Sequence, residues 1–483
     1  MKLVVKLFHE IVVKSKPVRK LFVTQLRRNL TKLIQEIVPE AKVFSRWDKI
    51  EVEMPDIDST TWEVLKERLQ CTPGIDFVYR VDSHEFNELD DVAQLCIRHY
   101  AEDVKDKSFC VRIKRKGKHS FTSSEAERQI GGAILHNTEA RQVDLHNPEY
   151  LLQLEIIDQT VALVREKIEG LGGYPLGQQE AVLSLISGGF DSTVSSYLMT
   201  RRGILTHFCF FNLGGLAHEI GVKQVASYLW QKYGSTQRVK FVSVPFEEVV
   251  NEILQKVDSS LMGVVLKRMM LRAAEKVAED LALPAIVTGE AVGQVSSQTL
   301  TNLNVINECS NATVLRPLIS MDKQDIIAIA RDIGTEDFAA SMPEYCGVIS
   351  RKPTTRAKLD KVLETESDFD FSVLDNAIAE KKIVSIHQVL EGVVTDTNVE
   401  VIATPDVNDV IIDVRHPDEE SLSPLMLTNN KILKIPFYSI SNRLEELDKN
   451  TRYLLYCDKG VMSQVQAHQL TLQGFDNIKV FRN

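Results

Sequence analysis

No apolar run in this 483-residue chain is long enough to span a bilayer. The opening stretch MKLVVKLFHEIVVKSK is interrupted by Lys and Glu, unlike the apolar core of a secretion signal. Cysteine is sparse. Seven residues lie at long, irregular intervals, without the close pairs of a zinc ligand set, which leaves only a site assembled across domains. This usage points to a reducing cytosol and a cytoplasmic protein. There a functional cysteine is catalytic or redox-active more often than a structural bridge. Two nucleotide signatures are missing: neither G-x-x-x-x-G-K-[ST] nor G-x-G-x-x-G occurs. Low-complexity segments and short-period repeats are absent as well.

What is present is ordinary globular composition, 44% hydrophobic and 26% charged, over a length that suggests roughly three or four domains. The net charge of −10 hides an uneven distribution. Residues 1–55 are rich in Lys and Arg, and SFCVRIKRKGKHSF gathers Arg112, Lys114, Arg115, Lys116 and Lys118 without an acid. A basic N-terminal third on an acidic protein suits a docked polyanion, although a single basic run taken alone is more often a solvated face.

Residues 1–60 read as strand, helix, strand, and a small α/β region follows to about residue 165. Thr122 or Ser123, with Glu125, opens a capped helix there. The glycine-rich EGLGGYPLGQQ reads as a linker. From Ala181 apolar strands alternate with helices, which predicts a parallel sheet covered by helices. The stretch 351–400 is charged and less regular. A last α/β unit begins near Thr404.

Within the parallel region, AVLSLISGGFDSTVSSYLM reads as strand, turn, helix. Gly188 and Gly189 let the backbone bend and leave room for an oxygen near the N–H groups. The helix N-terminus that follows favours an anion, and Ser187 and Ser192 add hydroxyls. Asp191 beside a bound phosphate is repelled unless a divalent cation lies between them or it caps the helix. Turn composition alone fits a capped turn as well as a phosphate loop. Downstream, GEAVGQVSSQTLTNL follows a strand, while Lys267 and Lys323, taken alone, are surface lysines.

Cys457 follows an apolar strand in RYLLYCDKGVMSQVQAHQL. A thiol at a helix start, ringed by loop N–H groups, has a stabilised thiolate. The bland alternative is a buried structural cysteine. Cys346, in PEYCGVISRKP, sits in a polar loop where a thiol is open to exchange.

The S-G-G-F-D-S loop after a strand resembles that of enzymes that adenylate a substrate and release pyrophosphate. Together with RIKRKGKHSF, LKRMM, GEAVGQVSSQTLTNL, RPLIS-x-DK, MPEYCGVIS, IIDVRHPDEE and CDKGVMS, it makes the whole chain resemble the tRNA 4-thiouridine synthetase family, long form. The resemblance implies four multidomain α/β parts. They are a ferredoxin-like N-terminal domain (1–60), a THUMP RNA-binding domain (61–165), a parallel-sheet PP-loop ATP pyrophosphatase domain (175–395) and a rhodanese domain (405–483). The basic residues from Arg112 to Lys118 then face tRNA. ATP contacts map onto Leu185, Ile186, Ser187, Gly188, Gly189, Ser192, Lys267, Gly289 and Gln298, with Asp191 acting through Mg²⁺ and Lys323 stabilising charge. Cys457 carries a persulfide, Cys346 is its disulfide partner, and a cysteine desulfurase supplies the sulfur. The family also gives sulfur to the carrier protein of thiamine thiazole synthesis. Met462-Ser463 replaces the Arg-Ser that often closes a rhodanese loop, so anion binding there rests on backbone N–H groups. Self-association into a homodimer is left open. Two rivals are an amidating synthetase fused to a sulfur module and a sulfur carrier with a nucleotide domain as scaffold.

Overall fold

The computed structural model describes the chain except residues 47–48, 214, 342–351, 391–398, 416–419, 421–422, 428, 437–439, 441–442, 444–446, 449–450, 458–460, 473 and 483. It divides into two compact units, Met1–Gln178 and Gln179–Asn483. Among the described residues no helix is long and apolar enough to cross a membrane.

The first unit holds one eight-stranded sheet. Its strands are β1 (Lys2–Leu7), β2 (Lys42–Ser45), β3 (Lys49–Glu53), β4 (Ile75–Glu85), β5 (Ser108–Lys116), β6 (Gln142–Val143), β7 (Tyr150–Ile157) and β8 (Thr160–Glu169). The order is β2-β3-β1-β4-β8-β7-β5-β6, so β4 pairs with β1 on one side and β8 on the other. Two cores form along it. Leu26, Leu30 and Ile34 of helix Lys16–Gln35 fill one. Cys96 and Tyr100 fill the second with Ile130 and Ile134 of helix Ser123–Asn137. Thr122 caps that helix in a reciprocal box with Glu125, as its sequence predicts.

The glycine-rich stretch after β8 is not a free linker. Gly170 N–H donates to Asp76 O at 2.8 Å, and Gly172 N–H donates to Ile75 O at 2.8 Å. A Cβ on Gly170 would lie 2.4 Å from Ile75 O, so only glycine permits this approach. Tyr174 then stacks on Phe22 at 4.9 Å and donates its hydroxyl to Glu10. Read from composition the segment is punctuation, but its tyrosine and leucine are buried.

The second unit contains a six-stranded and a five-stranded sheet. The first is built from β9 (Ala181–Leu185), β10 (Leu205–Asn212), β11 (Lys240–Pro245), β12 (Ala285–Val287), β13 (Thr313–Leu315) and β14 (Lys382–Ser385). Its order is β13-β12-β9-β10-β11-β14, parallel as expected except that β14 pairs antiparallel on β11. The charged stretch after residue 350 is more regular than composition suggests, with helices Leu359–Ser367 and Phe371–Ala379 leading into β14. The chain runs outward from β9 through β10 and β11, then returns to the other side of β9 as β12. The crevice between the C-terminal ends of β9 and β12 is therefore a topological switch point, where parallel sheets bind ligands. The last sheet has β15 (Val401–Ile402), β16 (Val410–Asp413), β17 (Lys431–Lys434), β18 (Tyr453–Tyr456) and β19 (Ile478–Phe481), in the order β15-β19-β18-β16-β17, all parallel.

Candidate nucleotide and sulfur sites

The loop leaving β9 is shaped for an anion. Leu185 and buried Ile186 end the strand, and Ile186 N–H donates to Cys209 O of β10. Gly188 has φ +84°, a backbone conformation that costs other residues energy. Gly189 precedes helix Phe190–Arg201 with no side-chain cap, which leaves the first N–H groups of the helix for a ligand. The Ser192 hydroxyl accepts from Ser187 N–H at 3.1 Å, lies 3.1 Å from Ser187 Oγ and donates to Gly189 O at 3.2 Å. The turn is thus braced from within. His218 braces it from beside, with Nε2 3.0 Å from Ser187 O. Burial lowers the His218 pKa more than this hydrogen bond raises it, which favours the neutral ring.

The loop after β12 closes on the first loop at Gly289. A Cβ there would sit 2.6 Å from Asp191 C and 2.7 Å from Ser192 N. Gln298 is buried, and its side-chain oxygen accepts from Ala291 N–H at 3.4 Å. Gly293 N–H donates to Gln298 O, closing the second loop on itself.

Lys323 is brought in by packing. Val194 and Leu198 of helix Phe190–Arg201 share one apolar cluster with Ile326 and Ala330 of helix Lys323–Asp332. The helix pair sets Lys323 Nζ 2.8 Å from Asp191 Oδ1, and Gln294 donates to Asp191 Oδ2 at 2.7 Å. Lys323 also lies over the Phe190 ring at 5.4 Å. A lysine in the first turn of a helix opposes the helix dipole. Asp322, the cap of that helix, and Asp191 offset this. In the structure a lysine and an amide occupy the two oxygens of Asp191.

Lys267 projects from helix Met262–Asp280 and donates to Glu290 at 2.9 Å. Four neighbours escaped sequence reasoning: Phe190, Glu290, Gln294 and Arg316. The signal for Glu290 and Arg316 was available, because a charged residue just beyond a short apolar strand lies at the ligand edge of a parallel sheet.

Further along, buried Asn302 donates to Ser296 O at 2.8 Å and to Thr354 O at 2.9 Å, and accepts from Ala357 N–H at 2.8 Å. It ties the chain near residue 355 to the turn that contains Gln298.

In the last sheet Cys457 immediately follows β18. Its residue is 7% exposed, and its sulfur accepts from Ser463 N–H at 3.3 Å. An N–H of the following helix thus points at the sulfur, as a stabilised thiolate requires. Beneath it, Asp413 and Arg415 form a buried pair at 2.6 Å, with Arg415 5.1 Å from the Tyr456 ring centre. Cys346, and with it the Cys346–Cys457 disulfide, lies outside the described residues.

On the first unit, Arg112, Lys114 and Lys116 alternate outward along β5 while Val111 and Ile113 point into the core. Arg112 donates to Leu145 O. Arg115 is half-buried, 3.1 Å from His119 Nδ1. Lys114, Lys116 and Lys118 are exposed.

Comparison with known family models finds four matching stretches. Residues 2–78 match the ThiI ferredoxin-like domain, 84–164 the THUMP domain, 177–371 the model described as Thiamine biosynthesis protein (ThiI), and 398–483 the Rhodanese-like domain. A tRNA sulfurtransferase of Shewanella halifaxensis is 52% identical over all of both chains. Another, of Marinobacter nauticus, is 51% identical over all of this chain and 99% of its own. Among solved structures, a 4-thiouridine synthetase in complex with RNA and bound ATP superposes with TM-score 0.70 at 25% identity, over 80% of this chain and 99% of that one. A protein of Pyrococcus horikoshii, TM-score 0.53 at 20% identity over 69% of this chain and 100% of its own, shares the fold. The chain belongs to the tRNA sulfurtransferase family.

Proposed function

We propose that the chain uses ATP to activate O4 of a tRNA uridine and replaces that oxygen with sulfur, giving 4-thiouridine. The observation that carries this is the junction at the β9/β12 crevice. There the uncapped S-G-G-F-D-S turn, Gly289 against its backbone, and Lys323 on Asp191 meet. Phosphate oxygens lie on the free N–H groups after Gly189 and on the hydroxyls of Ser187 and Ser192. The uridine oxygen attacks the α-phosphorus, pyrophosphate leaves, and C4 acquires AMP as a leaving group. Lys323 stands beside the loop to meet the negative charge that grows on the phosphoryl oxygens.

Magnesium would arrive on the triphosphate, and to reach Asp191 it would displace Lys323 or Gln294.

Cys457 receives sulfur from a cysteine desulfurase as a persulfide. Its terminal sulfur attacks C4 and AMP leaves. The Cys346 thiolate then attacks the Cys457 sulfur, the persulfide bond breaks, and its outer sulfur stays on the uridine. If Cys346 acts earlier, sulfide is released and performs the attack. Both routes end in a Cys346–Cys457 disulfide, which a two-electron reductant resets. The exposed lysines from Lys114 to Lys118 hold tRNA phosphates. The RNA complex of the structural neighbour supports this use of the unit. A second role, sulfur supply to the thiamine thiazole pathway, is supported by the description of the family model that matches 177–371.

Pyrophosphate release that requires both ATP and tRNA, lost in Asp191→Ala, is the test. Full thiolation by Asp191→Ala would favour a sulfur carrier whose nucleotide domain is a scaffold. Cys346→Ser is expected to complete one turnover and stall, and repeated turnover with reductant would dismiss the disulfide step.

A further inference from the structure

Glu290 follows directly on Gly289, the residue that touches the phosphate loop. Its side chain is 10% exposed. Oε1 accepts from Lys267 Nζ at 2.9 Å, while Oε2 accepts from Arg316 Nε at 2.8 Å and from Thr288 Oγ1 at 3.1 Å. Three separate pieces of chain meet there: helix Met262–Asp280, the end of β12 and the end of β13. Burial alone would raise the carboxyl pKa, yet the attraction of Lys267 and Arg316 outweighs it and the group stays ionised.

The cluster carries a surplus positive charge, two cations on one carboxylate. Neither cation is used up. Lys267 gives one of its three donors to Glu290. Arg316 gives Nε to Glu290 and Nη2 to Asn307 Oδ1 at 3.3 Å, and among the described residues Nη1 keeps its donors. A carboxylate that needed only neutralising would be satisfied by one cation. A second one, beside a turn built for phosphate, suits a polyanion.

We propose that Glu290 is a positioning residue that sets Lys267 and Arg316 as a two-cation clamp on the polyphosphate of ATP, with Arg316 donating directly to it. This rests on the nucleotide site proposed above. Glu290 itself does not touch ATP. It holds two long side chains in their bound arrangement before the ligand arrives, so less rotamer freedom is lost on binding.

The test uses the full chain, with tRNA-dependent pyrophosphate release titrated in ATP and equilibrium binding of a non-hydrolysable ATP analogue. Glu290→Gln keeps shape and removes charge. It is expected to raise KM for ATP and weaken analogue binding by about tenfold or more, the loss of hydrogen bonds to a charged group, while kcat falls less than about threefold. Glu290→Asp, which keeps the charge, is expected to fall between, and it serves if Glu290→Gln folds poorly. Arg316→Lys is expected to raise KM for ATP too. In a Lys267→Met background Glu290→Gln is expected to cost much less, because one of the groups it positions is gone. Unchanged analogue binding in folded Glu290→Gln, or losses that simply multiply in the double variant, would overturn the clamp. If wild type binds the analogue but releases no pyrophosphate with tRNA, the adenylation reading fails and the binding cycle still judges the clamp.

Discussion

Gly289→Ala adds one methyl group where two loops meet backbone to backbone. The new Cβ would lie 2.6 Å from Asp191 C, 2.7 Å from Ser192 N and 2.8 Å from Asp191 O. Carbon contacts settle at about 3.5–4.0 Å, so the loops have to part by about 1 Å. The obstacles are main-chain atoms and cannot rotate aside. Overpacking of this kind costs about 1–3 kcal/mol, and a displacement of about 1 Å at reacting groups costs about 100-fold in rate. We expect a Tm lower by several degrees, at about 2–4 °C per kcal/mol, and kcat/KM for ATP lower by about 100-fold in tRNA-dependent pyrophosphate release. Gly132→Ala is the control. Its Cβ would meet nothing within 4 Å, and in the middle of helix Ser123–Asn137 it should be neutral or slightly stabilising. Gly289→Ala with ATP kinetics within about twofold of wild type would refute the reasoning, since the loops would then tolerate separation.

Removing Glu366 leaves Arg268 buried without its main partner, because Glu366 takes both Nε and Nη2 of a side chain that is 0% exposed. Glu366→Ala should lose about 3–5 kcal/mol in denaturant unfolding, and a loss under about 1 kcal/mol would mean that Glu308 suffices. Alanine at Lys114, Lys116 and Lys118 together should weaken tRNA binding and reduce its salt dependence by about one unit of log–log slope per lysine, and an unchanged slope would place the RNA elsewhere. The Glu290 pKa is depressed in the folded chain. Its stabilising contribution is therefore present above the ordinary 4.5 and lost as pH falls through the folded value. Glu290→Gln should flatten the acid side of the stability curve by lowering the plateau above it while leaving the most acidic end little changed, whereas an identical acid slope would mean the carboxylate is not held ionised by its partners.

Local chemistry was readable from the residues. A strand, two glycines and a helix are contiguous, so the S-G-G-F-D-S turn needs no tertiary information. The same holds for the Thr122 cap and for Cys457 between a strand and a helix. Pairing across the fold was not readable. Lys323 and Asp191 meet because Val194 and Leu198 share a cluster with Ile326 and Ala330, and no periodicity in either helix specifies that partner. Gly170 to Leu176 reads as a linker because glycine marks both mobile chain and close backbone approach, and composition does not separate the two. Strands of three residues such as β13 are too short to alternate.

Asn302 has a consequence for the sulfur chemistry. It pins the chain at Thr354 and Ala357 to the turn that contains Gln298, and helix Glu336–Ser341 is the last described element before Met342. Cys346 follows Ser341 by five residues in the sequence, and five residues span at most about 18 Å. If the proposed disulfide route holds, chain length alone would require Cys457 to come within that distance of Ser341 plus one disulfide span. Within that proposal, the sequence distance from Ser341 to Cys346 bounds where the disulfide could form.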